Sequence, residues 1–172
     1  MRSTKIAAIK TEYSELTQYC QENGQVSFAM YVDDSYKKIL LLSAASYFEA
    51  VIVQCVHDFA VKTSKNNKEM VSFIDNKALT RQYHTFFDWE GKNTNKFFSM
   101  FGQDFKNKAR QIIDERKLSE AEVAFLTVGK ERNYLVHRNF AEATINSTFD
   151  EIFRKYELAC DFADLVKELL ES

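Results

Sequence analysis

The sequence predicts an all-α protein: one antiparallel helical bundle with additional short helices inserted in its middle. Three observations predict it. The 172 residues contain no Pro and only four Gly, so the residues that break helices are nearly absent. Apolar side chains recur at alternating steps of three and four, the period of one helix face. A chain of this length with 45% hydrophobic residues fills one core and is short for two domains, so residues 1–172 read as a single domain.

Ile6, Ile9, Tyr13, Leu16 and Cys20 make a single stripe, which predicts a first helix over 3–22. Asn23-Gly24 ends it with residue types that tolerate positive φ. Asp33 or Asp34 is a candidate cap for a second helix over 34–63, apolar from Ile39 to Val56. That run is long enough to raise a membrane span, but Ser43, Ser46, Glu49 and Gln54 interrupt it, and the central helix of a bundle is apolar on most sides too. The expectation is a core helix and no membrane.

Lys62 to Lys68 reads as a polar loop. Beyond it the sequence predicts short helical pieces: Glu69 to Leu79, a turn opened by Thr80 and carrying Arg81, Tyr83, His84, Phe86 and Phe87, and Asn95 to Met100. Gly102-Gln103-Asp104 introduces a helix over 103–116. Ser119 with Glu122, and Thr148 with Glu151, have capping-box spacing and predict helices over 119–137 and 148–171. Gly129 falls inside the first of these, where it costs about 1 kcal/mol relative to Ala and is expected to admit a neighbouring helix.

A net charge of −2 excludes a generally basic coat, so any nucleic-acid contact must come from a local patch. Cys20, Cys55 and Cys160 are odd in number, far apart and set among apolar residues, which reads as reduced core thiols in a cytoplasmic protein. No Cys or His pair has metal-ligand spacing, so no metal is expected. Residues 1–6 lack the apolar stretch of a signal peptide.

The stretch from Gly129 to Phe140 carries the most suggestive chemistry. On a helix Asn133 and His137 share a face, and Arg132 flanks them with a side chain long enough to swing towards the imidazole. An imidazole that moves protons near neutral pH, a forked cation and an amide suit an anionic phosphate. Glu49, a carboxylate on an otherwise apolar helix, needs a partner or a function, and Arg132 or His137 is the expected partner. A place at the helix's solvent edge, a structural ion pair and a role in the site are all open readings. His57 reads as an edge residue. Cations and aromatics interleave over Lys92, Lys96, Phe97, Phe98, Phe101, Phe105, Lys106, Lys108 and Arg110. The Phe residues are expected in the core, while Lys106, Lys108 and Arg110, together with Lys130 and Arg138 beside the Arg132–His137 stretch, are the candidate RNA-binding cations.

Arg132-Asn133-Tyr134-Leu135-Val136-His137, closing one long helix and followed by another, resembles the R-N-x3-H signature of HEPN domains. The apolar helix around Leu41 to Glu49 and the Phe-Phe-x-x-Phe-Gly segment at Phe97 to Gly102 extend the likeness over about residues 30 to 170. The stand-alone nuclease types, the RiboL-PSP and MAE-like groups, are the most similar. This resemblance implies a metal-independent endoribonuclease in which Arg132 and His137 act on the scissile phosphodiester, Asn133 orients His137 or the phosphate, and Glu49 assists. It further implies RNA as substrate, a 2′,3′-cyclic phosphate product, a homodimer with a shared site, and a toxin or antiphage role with a neutralising antitoxin as partner. A non-catalytic HEPN-like interaction module is the rival reading. In one respect the chain departs from a related subgroup: HepT-type toxins carry Tyr two residues after the His as the target of a nucleotidyl-transferring antitoxin, and Asn139 stands here. That mode of control is not expected.

Overall fold

A computed structural model describes residues 2–172. Its long helices are α1 (Thr4–Glu22), α2 (Val26–Thr63), α6 (Gln103–Glu115), α7 (Ser119–Val136) and α8 (Phe149–Glu171). Between α2 and α6 lie three short ones, α3 (Lys68–Ile74), α4 (Tyr83–Phe86) and α5 (Asn95–Ser99), with a π-helical turn, Asp75–Leu79, after α3. No strand occurs among the described residues.

α1 and α2 form a hairpin. Gly24 at φ +64° reverses the chain, and the Gln25 amide donates to the Cys20 carbonyl at 2.8 Å. The second helix therefore starts at Val26, eight residues earlier than the capping signal predicts. Asp33 and Asp34 are not caps. They pair one turn on with Lys37 and Lys38, at 2.7 and 2.8 Å, and Asp33 accepts the Tyr13 hydroxyl across the hairpin.

α2 is the axis of the bundle, packed by α1, α7 and α8. It is long and apolar enough to span a membrane by composition, and Leu40, Leu41, Ala44, Phe48 and Ile52 are buried against the other helices. Tyr13 stacks on Phe149 while the Ser3 amide reaches the Tyr156 hydroxyl, so α1 and α8 run antiparallel. Phe125 meets Phe162, and Glu131 pairs with Lys155 at 2.7 Å, which sets α7 antiparallel to α8. Cys20, Cys55 and Cys160 are free and buried. Burial pushes the Cys55 thiol up to about 11, so it stays protonated and inert.

The inserted segment is pinned by aromatic packing. Phe86, Phe87, Phe97 and Phe98 are buried, and Phe87 contacts Phe97 and Phe125, each at 4.9 Å between ring centroids. These rings are core, as their helical spacing predicts, and not stacking platforms. The stretch predicted as one helix, Glu69 to Leu79, is capped by the Asn67 side chain and widens into the π turn. There Asp75 takes the ring of His57 at 2.8 Å, so His57 is partnered and not a bare edge residue. Thr80 closes the π turn and does not open a helix: Arg81, at φ +60°, reverses the chain and α4 begins at Tyr83.

Of the two predicted capping boxes one forms. Thr148 and Glu151 exchange both hydrogen bonds at the start of α8. Ser119 does not cap α7: Leu118 holds the cap position, its carbonyl takes the Glu122 amide at 3.0 Å, and the Glu122 side chain is engaged elsewhere. Its buried carboxylate accepts the amide and hydroxyl of Thr94, both at 2.6 Å, and both terminal nitrogens of Arg110. That knot ties α5, α6 and α7 together, and Gly102, at φ +100°, provides the bend that brings α6 back.

Candidate active site

α7 ends where the chemistry begins. Its last backbone bond runs from the His137 amide to the Asn133 carbonyl, so His137 stands at the helix C-terminus with its ring exposed. One turn back, Arg132 donates to the Asn133 side-chain oxygen at 3.1 Å. The amide thus orients the guanidinium, and not the imidazole, as one of its expected roles had it.

Arg132, Asn133 and His137 line one solvent-open cleft of about 490 Å³ with Gly129, Val128 and Phe125 from the same face of α7. The opposite wall is Ala45, Phe48 and Glu49 of α2. The third wall is absent from the sequence-based site: Arg81, Tyr83, His84 and Trp89, all from the inserted segment. A volume of that order is typical of small-ligand sites.

Gly129 makes the third wall possible. A Cβ there would fall inside the Trp89 indole, so glycine admits a ring and not a second helix. The indole N–H donates to the His84 carbonyl at 3.0 Å, and its ring packs against Tyr83 and Phe87. Trp89 is a fixed wall. Burial, and then the charge of Glu49, push the Tyr83 phenol far above its ordinary range, with Arg132 acting against them. Tyr83 therefore remains a hydrogen-bond donor at any working pH.

Glu49 lines the cleft but forms no ion pair or hydrogen bond with Arg132 or His137, which corrects the expected pairing. The candidate RNA-binding cations divide. Lys130 lies near the cleft and pairs with Glu90 at 2.5 Å, joining α7 to the loop after Trp89. Arg138 is exposed, with its guanidinium 4.8 Å from the Tyr134 ring centroid. Arg110 is occupied by Glu122, so its expected place on an RNA-facing surface is corrected. Lys106 and Lys108 are on α6 and do not line the cleft. Lys108 reaches Ser172, at the end of the bundle where Lys62 bonds the Glu171 carbonyl, about 20 Å further along α2 than Glu49 at 1.5 Å per residue. Among the described residues no three His, Cys, Asp or Glu side chains gather as a metal-binding set.

Arg132, bonded to the Asn133 amide, and His137 at the helix end therefore face the same cleft. A family model described as RiboL-PSP-HEPN matches residues 7–172. The chain belongs to this HEPN family. No match was found among curated proteins or solved structures. Within this RiboL-PSP-HEPN chain, the cleft joins the motif helix to α2 and to the segment between α3 and α5. The missed wall left one trace in the sequence: Arg81, Tyr83, His84 and Trp89 crowd polar and aromatic groups into nine residues that the helical pattern does not require.

Proposed function

We propose that this protein is a metal-independent endoribonuclease. The observation that carries the proposal is the convergence of Arg132 and His137 on one open cleft, with Asn133 holding the guanidinium. RNA supplies its own nucleophile. The 2′-oxygen attacks the adjacent phosphorus, its proton passes to a base, and the phosphorus–5′-oxygen bond breaks as that oxygen takes a proton. The products are a 2′,3′-cyclic phosphate and a 5′-hydroxyl. His137 serves in proton transfer, and the Arg132 fork neutralises charge developing on the non-bridging oxygens.

One imidazole cannot both take and give a proton in a single concerted step, so a second copy of His137 across a two-fold axis supplies the other. Tyr134, Val136 and Phe140, flanking His137, are 42%, 45% and 47% exposed, an apolar rim that supports a homodimer contact at this position. Membership of a HEPN family supports a toxin or antiphage effector held in check by an antitoxin protein. The buried free thiols fit a reducing cytoplasm.

Two experiments test this reading. Arg132→Lys retains the charge and loses the fork, so the cleavage rate falls about 10²- to 10³-fold in a single-turnover assay with chelator present, by comparison with the loss of one preorganised donor. A near-normal rate would reduce Arg132 to a helix-terminus cation. In the second, wild-type protein is mixed with excess His137→Ala under subunit exchange. A shared site predicts that cleavage per wild-type chain falls as mixed dimers form, and a constant rate contradicts it. If single-stranded RNA stays intact with dimeric wild-type protein, the non-catalytic interaction module is the better reading.

A further inference from the structure

Glu49 is out of place in a site for a polyanion. It projects into the cleft beside Ala45 and Phe48 without an ion pair to Arg132 or His137, and a carboxylate there repels phosphate unless the RNA brings donors to it. Glu49, Tyr83 and Arg132 line the same cleft, so the carboxylate and the guanidinium belong to one binding volume. The wall from the inserted segment sets the Tyr83 and Trp89 rings beside Arg81 and His84. Trp89 is seated over Gly129 and fixed by its bond to His84, and an unstacked base is held on such rigid faces. About 490 Å³ has room for a nucleotide with its base on one side and its phosphate at Arg132.

Which base answers a lone carboxylate follows from the donors on each base edge. Guanine presents two adjacent, nearly parallel donors, N1–H and the N2 amino group, matching the two oxygens of a carboxylate. Adenine and cytosine each set an amino group beside a ring-nitrogen lone pair, and uracil flanks its one N–H with two carbonyls. In all three a lone pair faces a carboxylate oxygen. Resting on the nuclease reading for the phosphate end, we propose that this cleft is a guanine-reading site, with Glu49 accepting from N1–H and the N2 amino group beside the scissile phosphate.

The protein carries its own reporter, because Trp89 is the chain's single Trp and lines the cleft. Guanosine, adenosine, cytidine and uridine 3′-monophosphates are titrated by calorimetry and by Trp89 fluorescence. The guanosine nucleotide should bind at least tenfold tighter than the others, and Glu49→Gln should shrink that advantage below threefold, with uridine 3′-monophosphate binding somewhat tighter once the repelling charge is gone. Inosine 3′-monophosphate, which lacks the amino group, should lose several-fold in affinity on unaltered protein, a test that needs no variant to fold. Four nucleotides bound within twofold of one another, or a guanine advantage that survives Glu49→Gln, would overturn the proposal. Cleavage mapped on a mixed-sequence RNA separates this from the broader reading. Scission confined to guanosine sites supports both, and scission without base preference overturns guanine reading while the nuclease stands. Guanine-selective binding with no scission supports the base site and removes the nuclease.

Discussion

On the proposed nuclease reading, His137→Ala is expected to lower the rate of RNA cleavage by about 10²- to 10⁴-fold, the usual contribution of a positioned proton carrier. The fold changes little, because the ring is exposed at the C-terminus of α7 and fills no part of the core; an exposed substitution of this kind shifts stability by about 0.5 kcal/mol or less. Rate and stability therefore part company, which a thermal melt beside a cleavage assay shows directly. His57→Ala is the control. Its ring pairs with Asp75 at the π turn and does not line the cleft, so cleavage should survive its loss. Equal losses in both variants would mean that the imidazole at position 137 has no special role.

The largest effect on stability is expected at the N-terminal end of α7, away from His137. Arg110→Ala leaves the Glu122 carboxylate, 3% exposed, without its counter-charge. Breaking a buried pair on one side costs about 3–5 kcal/mol. The Arg110 side chain is 24% exposed, so solvent offsets part of this, and the lower figure of about 3 kcal/mol applies. In a domain of this size that lowers the melting temperature by roughly 10 °C. Calorimetry or a denaturant midpoint checks it. Replacing Glu122 as well should recover only part of the loss, because the Thr94 amide would then be orphaned. A wild-type melting temperature in Arg110→Ala would show that the knot does not hold α5, α6 and α7 together.

The same knot shows where sequence reasoning reaches its limit. Ser119-x-x-Glu122 and Thr148-x-x-Glu151 are equivalent as local patterns, but Glu151 closes its own helix while Glu122 serves a threonine and an arginine from other elements. Only tertiary packing distinguishes them. Asp33 and Asp34 misplaced the start of α2 for a related reason: an Asp before an apolar run caps a helix or pairs one turn ahead, and here the lysines four residues on decide. The faces of α1 and α8 were readable, since their three- and four-residue steps are local.

Within the site, Arg132, Asn133 and His137 were legible because one helix presents them, and Glu49 because a charge stands out on an apolar helix. The wall of Arg81, Tyr83, His84 and Trp89 was not. It depends on a left-handed reversal at Arg81 and on an indole seated against Gly129, contacts between residues tens of positions apart. Gly129 did signal a close approach, though not what approaches. Lys106, Lys108 and Arg110 drew attention as cations among aromatics, yet the Phe side chains turn inward, Arg110 goes to Glu122 and Lys108 to the far end of the bundle.

The most direct test of the nuclease reading is the chemistry of the cut ends. Purified wild-type protein is incubated with a defined single-stranded RNA in EDTA, and the fragments are weighed by mass spectrometry, with His137→Ala prepared in parallel to exclude trace nucleases. Attack by the 2′-hydroxyl under Arg132 and His137 predicts 2′,3′-cyclic phosphate and 5′-hydroxyl ends, produced undiminished in chelator and absent with the variant. Fragments bearing 3′-hydroxyl and 5′-phosphate ends, or cleavage that stops when EDTA is added, would contradict it.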